Sequence, residues 1–156
     1  GVDYLTAEAF AKVIARQGKP LSASLKQIVS EQPHFRGGEV IQVGAGVQEW
    51  IRCIQDSCAV VLIGGADESR GQDGTFETYE YALQEQKPVF PFGRIPGGSE
   101  RAYRVMLEGY DDAPLARILA NIPRERFERA LGGDLAQEAS VAPAVSELMQ
   151  LIGLCD

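Results

Sequence analysis

Apolar residues at the start of the chain recur at helical spacing. Between residues 6 and 17 they lie on one face of a helix, and Gly18 and Pro20 then supply stop signals. This segment is therefore predicted to be an amphipathic helix. A second, shorter helix is predicted over residues 24–31.

Short apolar runs in the middle of the chain predict strands. Residues 39–44 form one run, and residues 47–55 then show helical spacing. Residues 59–63 (AVVLI) are apolar without alternation, which is typical of a parallel strand covered on both faces. A helix over 75–86 and a strand over 89–92 follow. This alternation predicts a parallel α/β sheet, in which ligands bind beyond the carboxyl ends of the strands.

The last third of the chain is predicted to be mainly helical. Helical spacing recurs over residues 115–121, 124–131 and 144–154, and Ser99 can cap a further helix that precedes them. Arginine and glutamate alternate between 124 and 129, as on a solvated helix face with internal ion pairs. The predicted fold class is a Rossmann-like three-layer α/β fold with a mainly parallel sheet and a helical C-terminal part.

The opening helix is unusual, because nucleotide-binding domains of this class usually open with a strand and a glycine turn. Two explanations are open: residues 1–5 form the first strand, or the chain is a fragment of a longer effector protein. We expect the second, and we treat residues 1–156 as a single domain.

Composition and charge narrow the range of functions. The chain has 156 residues, 45% of them hydrophobic, and no apolar run approaches the roughly 20 residues that cross a bilayer. We therefore expect a cytoplasmic protein without membrane contact. A net charge of −7 disfavours nucleic-acid binding. A single histidine, His34, and three cysteines without CxxC spacing (Cys53, Cys58 and Cys155) predict reduced thiols and no metal site.

Glycines recur where predicted strands end and predicted helices begin. The three pairs are Gly64-Gly65, Gly74-Thr75 and Gly97-Gly98. Backbone amides at such places attract anions, aided by the helix dipole, and Thr75 can cap its helix. Taken singly, each pair is more typical of a tight turn. If all three converge at one edge of the sheet, they form a cradle for phosphate.

Two carboxylates follow Thr75 in the same predicted helix. Glu77 and Glu80 can stabilise the helix dipole, accept hydrogen bonds from a ribose or base, or attack an anomeric carbon. We expect Glu80 to be partly buried, because it shares a helix face with Phe76 and Leu83.

Several arginines are candidates for the rest of a ligand site. Arg94, Arg101 and Arg104 surround Gly97-Gly98, where they suit phosphate oxygens and surface salt bridges equally well. Arg70 lies in a polar loop that either folds over a ligand as a lid or is simply mobile.

The glycine and glutamate positions resemble the SLOG superfamily, a Rossmann-like nucleotide-binding group that includes the LOG phosphoribohydrolases and the Smf/DprA proteins. The resemblance covers residues 39–110 and also includes Lys87-Pro88 before the third predicted strand. Within that group the chain looks most like the STALD domains, which are fused to sirtuin-like or TIR domains in bacterial antiphage systems of the Thoeris type.

The resemblance implies a regulatory sensor that binds an ADP-ribose-type cyclic nucleotide and controls an attached NAD-consuming effector. It implies no cofactor, and its partners would be the effector domain in the same chain and further copies in a homo-oligomer. Carried over by position, the implied contacts are Gly64, Gly65, Gly74 and Thr75 for phosphate, Glu77 or Glu80 for a ribose or base, and Arg94, Gly97, Gly98 and Arg101 for the far side.

The sequence departs from the LOG pattern Pro-Gly-Gly-x-Gly-Thr-x-x-Glu in three ways. Ile63 replaces the proline, eight residues separate Gly65 from Gly74, and Thr78 stands at the position of the catalytic glutamate. We therefore expect binding without turnover. Two alternatives are a LOG-type or deoxyribosyltransferase-like N-glycosidic enzyme that uses Glu77 or Glu80, and a non-catalytic oligomerisation domain.

Overall fold

Helices and short parallel strands make up both units into which the chain divides, Gly1–Cys53 and Ile54–Asp156. A computed structural model describes residues 2–23, 25–29, 35–43, 49–66, 74–135 and 138–155. Within these residues the strands form two parallel two-stranded sheets, so the fold is mixed α/β.

The first unit contains one long helix and one pair of strands. Its elements are α1 (Val2–Arg16), a 3-10 turn (Leu21–Ala23), β1 (Lys26–Val29) and β2 (Glu39–Gln42). Helix α2 (Glu49–Asp56) then carries the chain into the second unit. Because α1 already begins at Val2, the alternative that residues 1–5 form a strand is wrong.

Strand β1 replaces the helix that was predicted over residues 24–31. It pairs in parallel with β2, with Gln27 opposite Val40. Ile28 and Val29 are β-branched and favour an extended backbone. In so short a segment periodicity does not separate helix from strand, and the pairing with β2 decides the conformation.

The second unit alternates strands and helices and then becomes helical, as predicted. Its elements are β3 (Val60–Leu62), α3 (Gly74–Gln84), β4 (Val89–Pro91), α4 (Gly98–Glu108), α5 (Leu115–Ile118), α6 (Arg124–Leu131) and α7 (Glu138–Ile152). Helix α7 begins earlier than predicted and includes Pro143.

Strand β4 lies in the core of the second unit. All three of its residues are buried, and α3 and α4 both pack against it. Phe127 of α6 is fully buried, and its ring lies 6.3 Å from that of Phe90, 6.1 Å from that of Tyr103 and 5.3 Å from that of Tyr110. This aromatic cluster joins the sheet to α4 and α6.

Strand β3 is not covered on both faces, contrary to the prediction from its apolar run. Leu62 is buried, whereas Val61 is 39% exposed and Ile63 is 41% exposed. Among the described residues β3 has a single strand partner, β4. An apolar run without alternation therefore does not guarantee burial on both sides, because an edge strand has fewer neighbours than a central one.

Ion pairs join the C-terminal helices. Within α6, Arg124 Nε lies 2.7 Å from Glu128 Oε1, which confirms the predicted internal pairing. Arg126 instead reaches α7, where its Nη2 lies 2.9 Å from Oε1 of Glu147. The arginine pattern on α6 thus serves partly to hold two helices together. No helix in the described part of the chain is long and apolar enough to span a membrane.

Candidate functional site

Two of the glycine pairs meet at the carboxyl end of β3. Gly65 and Gly97 have φ angles of +118° and +110°, which residues other than glycine rarely adopt. A Cβ atom on Gly97 would lie 2.5 Å from the carbonyl oxygen of Gly65, and one on Gly65 would lie 2.8 Å from the amide nitrogen of Gly98. Both positions therefore need glycine, because the two backbones touch.

The first turn of α3 reaches the same point. A Cβ atom on Gly65 would lie 2.7 Å from the Thr75 hydroxyl oxygen. Thr75 is the second residue of α3, so it does not cap the helix from outside as predicted, because the helix begins one residue earlier. The space beside Gly74 is open to 4 Å, and Gly65 is exposed.

Ser99 ties this point to the sheet. It was predicted to cap α4, but the N-cap is Gly97, and Ser99 is fully buried. Its hydroxyl lies 2.9 Å from the carbonyl oxygen of Leu62 and 2.8 Å from that of Phe92, and these two acceptors share its single proton. Its amide donates to the carbonyl of Gly64 at 2.7 Å. Ser99 thus fastens the start of α4 to the ends of both β3 and β4.

Arg101 lies between the first turns of α4 and α3. Its guanidinium carbon is 3.8 Å from the centroid of the Phe76 ring, and its side chain is half-buried. Stacking on an aromatic face restricts the position of a guanidinium group. Arg101 is therefore held beside the place where the two helices begin.

Arg94 and Arg104 are both exposed. Burial raises the pKa of Tyr103, the charge of Glu128 raises it further, and Arg94 and Arg124 lower it. Tyr103 stacks on Phe127 of α6, whereas Arg101 stacks on Phe76 of α3. Arg94 therefore acts on the side of α4 that faces α6, away from Arg101.

The two candidate carboxylates differ in burial. Glu77 is half-buried in the first turn of α3, but Glu80 is exposed, so the prediction that Glu80 is partly buried is wrong. Helix α3 buries Tyr79 and Ala82 instead. Their side of the helix faces the core, and a carboxylate at position 80 points away from it.

Thr78 stands where the LOG pattern has its glutamate, and its hydroxyl is used within α3. It donates to the carbonyl of Gly74 at 2.6 Å, which is one turn back along the helix. Two other residues singled out in the sequence, His34 and Arg70, lie outside the described residues.

Two residues of this region were missed in the sequence. The sequence did not predict that Phe76 stacks against Arg101. It also did not predict that Ser99 is buried, because serine before a helix is the usual signal for a cap. Nothing in the sequence distinguishes a capping serine from one that is buried under two strands. Among the described residues, no group of three or more His, Cys, Asp and Glu side chains could hold a metal ion.

None of the three cysteines forms a disulfide bond, which agrees with the predicted reduced thiols. Cys53 and Cys58 are exposed, and Cys155 is partly buried.

Comparisons of the chain with protein-family models, with curated proteins and with solved structures give no match.

Proposed function

We propose that the second unit is a regulatory sensor that binds an ADP-ribose-type nucleotide at the carboxyl end of β3. In this proposal the domain belongs to the SLOG group, has the Rossmann-like three-layer fold of that group, and controls an attached NAD-consuming effector in antiphage defence. The observation that carries the proposal is that the first turns of α3 and α4 meet at the exposed Gly65.

The meeting of two helix starts favours an anionic ligand. Each helix N-terminus carries the equivalent of about half a positive charge. At the start of α4 the amide of Ser99 is already bonded to the carbonyl of Gly64. Arg101 adds a full positive charge beside the two helix starts. Glu77 and Glu100 lie in the same two first turns and offset part of this charge, so the support for a phosphate contact comes from the close approach of the helix starts and of Arg101 rather than from a net positive potential.

The same region gives little support for catalysis. Thr78 replaces the glutamate of the LOG pattern and bonds to its own helix, and Glu80 is exposed. Glu77, half-buried in the first turn of α3, is the remaining carboxylate for attack at an anomeric carbon. We therefore propose that the nucleotide is bound and released unchanged.

Calorimetric titration tests binding, with cyclic ADP-ribose isomers, ADP-ribose, NAD and AMP as ligands. A ligand at a hundred times its dissociation constant should stabilise the folded state by about 2.7 kcal/mol. Chromatography of the recovered ligand then separates a sensor from an enzyme. If no member of the series binds, the proposal is wrong; if free base appears and Glu77→Gln abolishes it, the protein is an N-glycosidic enzyme.

Substitutions of Arg101 test the position of the site. Arg101→Met keeps an apolar contact with Phe76 but removes the charge, and should weaken binding by about tenfold or more. Arg101→Lys should recover part of the loss. The matched control is Arg117→Met, an exposed arginine of α5, which should bind normally.

The close contact of Gly65 with Gly97 favours a second candidate, in which the glycine loops are purely structural. In that case the domain serves oligomerisation and has no nucleotide site. It would be favoured if Arg101→Met changed the assembly state of the protein while no nucleotide in the series stabilised the wild type.

A further inference from the structure

Apolar side chains adjoin the glycine loops at the carboxyl end of β3. Ile63 directly precedes Gly64 and is 41% exposed. A Cβ atom on Gly64 would lie 3.6 Å from Cγ2 of Ile95, so the side chain of Ile95 lies against this glycine. Pro96, the next residue, is exposed. Ile63, Ile95 and Pro96 together form the apolar rim of the glycine loops.

Packing within the described part of the second unit does not account for the exposure of Ile63. Leu62 is buried, and the alternation of side chains along an extended chain places Val61 and Ile63 on the other side of the strand, where they are 39% and 41% exposed. Single exposed apolar side chains are normal on a protein surface. The rim is different, because it groups three apolar residues beside one glycine at the end of a strand, which is where parallel sheets bind ligands.

The apolar rim carries no charge. The two loops, residues 63–65 (IGG) and 95–98 (IPGG), contain no ionisable side chain. The charged side chains near this point, Glu77, Glu100 and Arg101, belong to the first turns of α3 and α4 instead. A phosphate gains nothing from aliphatic carbon, which offers it no hydrogen-bond donor. The rim therefore suits a second, uncharged part of a ligand whose anionic part lies at the helix starts.

We propose that Ile63 determines the specificity of this site by contacting the nucleobase of the ligand. The inference rests on the proposed function, in which the phosphate of the nucleotide lies beside Gly65. The faces of a nucleobase are uncharged and largely apolar, so they lose contact with water when they lie on an aliphatic side chain. The Cα atom of Ile63 is at most about 7 Å from that of Gly65, since they are two residues apart. This separation is comparable to that between the phosphate and the base of one nucleotide.

The apolar rim selects nucleotides over sugar phosphates, because a sugar phosphate has no base to cover Ile63. It selects weakly among bases, since aliphatic carbon makes no directional hydrogen bonds with their edges. Covering a side chain that is 41% exposed should raise the affinity by about tenfold.

Calorimetric titration of Ile63→Ser tests this contact, with AMP, ADP-ribose and ribose 5-phosphate as ligands. The variant should bind AMP and ADP-ribose about tenfold more weakly than the wild type, because its side chain is small and hydrated. Its affinity for ribose 5-phosphate should be unchanged. The matched control is Val61→Ser, which removes a side chain of similar exposure from the same side of the strand but about 7 Å further from Gly65, and should bind all three ligands normally.

Ile63→Trp gives a readout that does not depend on affinity. A base that stacks on the indole ring quenches its fluorescence. At saturating concentration, AMP should therefore quench the emission of Ile63→Trp, whereas ribose 5-phosphate should not. The wild type, with Trp50 as its single tryptophan, gives the background. Because Ile63 is exposed, both variants at this position should melt at nearly the wild-type temperature.

The outcomes separate this inference from the proposed function. If Arg101→Met weakens nucleotide binding but Ile63→Ser does not, the phosphate site is present and the contact of Ile63 with the base is wrong. The contact is also wrong if Val61→Ser loses as much affinity as Ile63→Ser, which would indicate a general loosening of β3. Equal weakening of ribose 5-phosphate would place the sugar on the rim instead of the base and would overturn it as well. If no nucleotide binds the wild type, both proposals fail.

Discussion

The two parallel strand pairs differ sharply in what surrounds them. Strand β4 is buried along its whole length beneath α3 and α4, whereas three of the four residues of β2 are exposed. Among the residues of Gly1–Cys53 whose side chains the structure describes, Ile14 is the one buried hydrophobic residue, while the second unit buries a connected set around Phe127. Parallel pairing alone does not bury a strand, and we expect the described core of the second unit to contribute most to its stability.

The largest expected effect of a single change is at Phe127. Phe127→Ala removes a fully buried ring that contacts three other rings, and should lower the free energy of unfolding by about 3–5 kcal/mol. Val40→Ala in β2 should change it by about 0.5 kcal/mol or less, because Val40 is 45% exposed. Urea unfolding measures both, and equal effects would contradict the difference between the two units.

A pair of glycines sharpens the comparison at the level of the backbone. Gly97→Ala combines a positive φ with a clash against Gly65, and should cost about 3 kcal/mol or more. Gly18 in the first unit has φ +67° but no atom within 4 Å of its Cβ position, so Gly18→Ala should cost about 1 kcal/mol. Thermal melts of the two variants separate the cost of the clash from the cost of the dihedral angle.

Side-chain hydrogen bonds to loop carbonyls occur in both units and allow a third test. Ser99→Ala leaves the carbonyl of Phe92 without its buried donor and should cost about 1–3 kcal/mol. Gln27→Ala removes part-buried bonds to the carbonyls of Phe35, at 3.1 Å, and of Gly37, and should cost about 1 kcal/mol, because both acceptors are partly exposed and water can replace the donor. The reverse order, found by urea unfolding, would mean that the first unit is the better packed one.

The smallest expected effect is a pH dependence in the second unit. Burial raises the pKa of Tyr110 to about 12, and its hydroxyl donates to the carbonyl of Ile122 at 3.0 Å. Because the folded pKa exceeds the unfolded value of about 10, the stabilisation is complete below pH 10 and is lost as the pH rises towards 12.

Between roughly pH 9 and pH 11 this group should therefore reduce the free energy of unfolding by about 1 kcal/mol. Tyr110→Phe cannot ionise and should lose that part of the alkaline dependence, at the cost of one hydrogen bond. Chemical denaturation at a series of alkaline pH values measures the free energy of unfolding of both proteins. If this free energy falls equally with pH in the wild type and the variant, Tyr110 does not contribute to the pH dependence.

The sequence predicted the elements of the second unit well, because local signals and tertiary packing agree there. The helices α3, α4 and α6 have apolar residues at helical spacing, and their buried faces lie against β4 or its neighbours. At β1 and at Glu80 the local signal was misleading. A four-residue strand has too few positions to show a period, and the face that α3 buries is chosen by Tyr79 and Ala82 rather than by Phe76.

The candidate site was predicted in its glycines but not in its connections. Glycine-containing pairs at strand ends are a strong local signal, and the structure brings Gly65, Gly97, Gly98 and Thr75 together. The stacking of Arg101 on Phe76 and the position of Arg94 near Tyr103 depend on which way α4 is turned. Tertiary packing determines how a helix is rotated about its own axis, so the local sequence of α4 does not predict which side chains meet Phe76 or Tyr103.

Ser99 has a mechanical consequence for α4. Its amide and hydroxyl contact three carbonyl oxygens: that of Leu62 at the end of β3, that of Gly64 two residues later, and that of Phe92 directly after β4. The start of the helix therefore cannot slide along its axis without breaking all three contacts. The far end of α4 is held by other means, because Met106 is fully buried and Tyr110, two residues beyond Glu108, donates to the carbonyl of Ile122. Hydrogen bonds to the sheet therefore fix the position of the helix along its axis at Ser99, and side-chain packing fixes its direction at the other end.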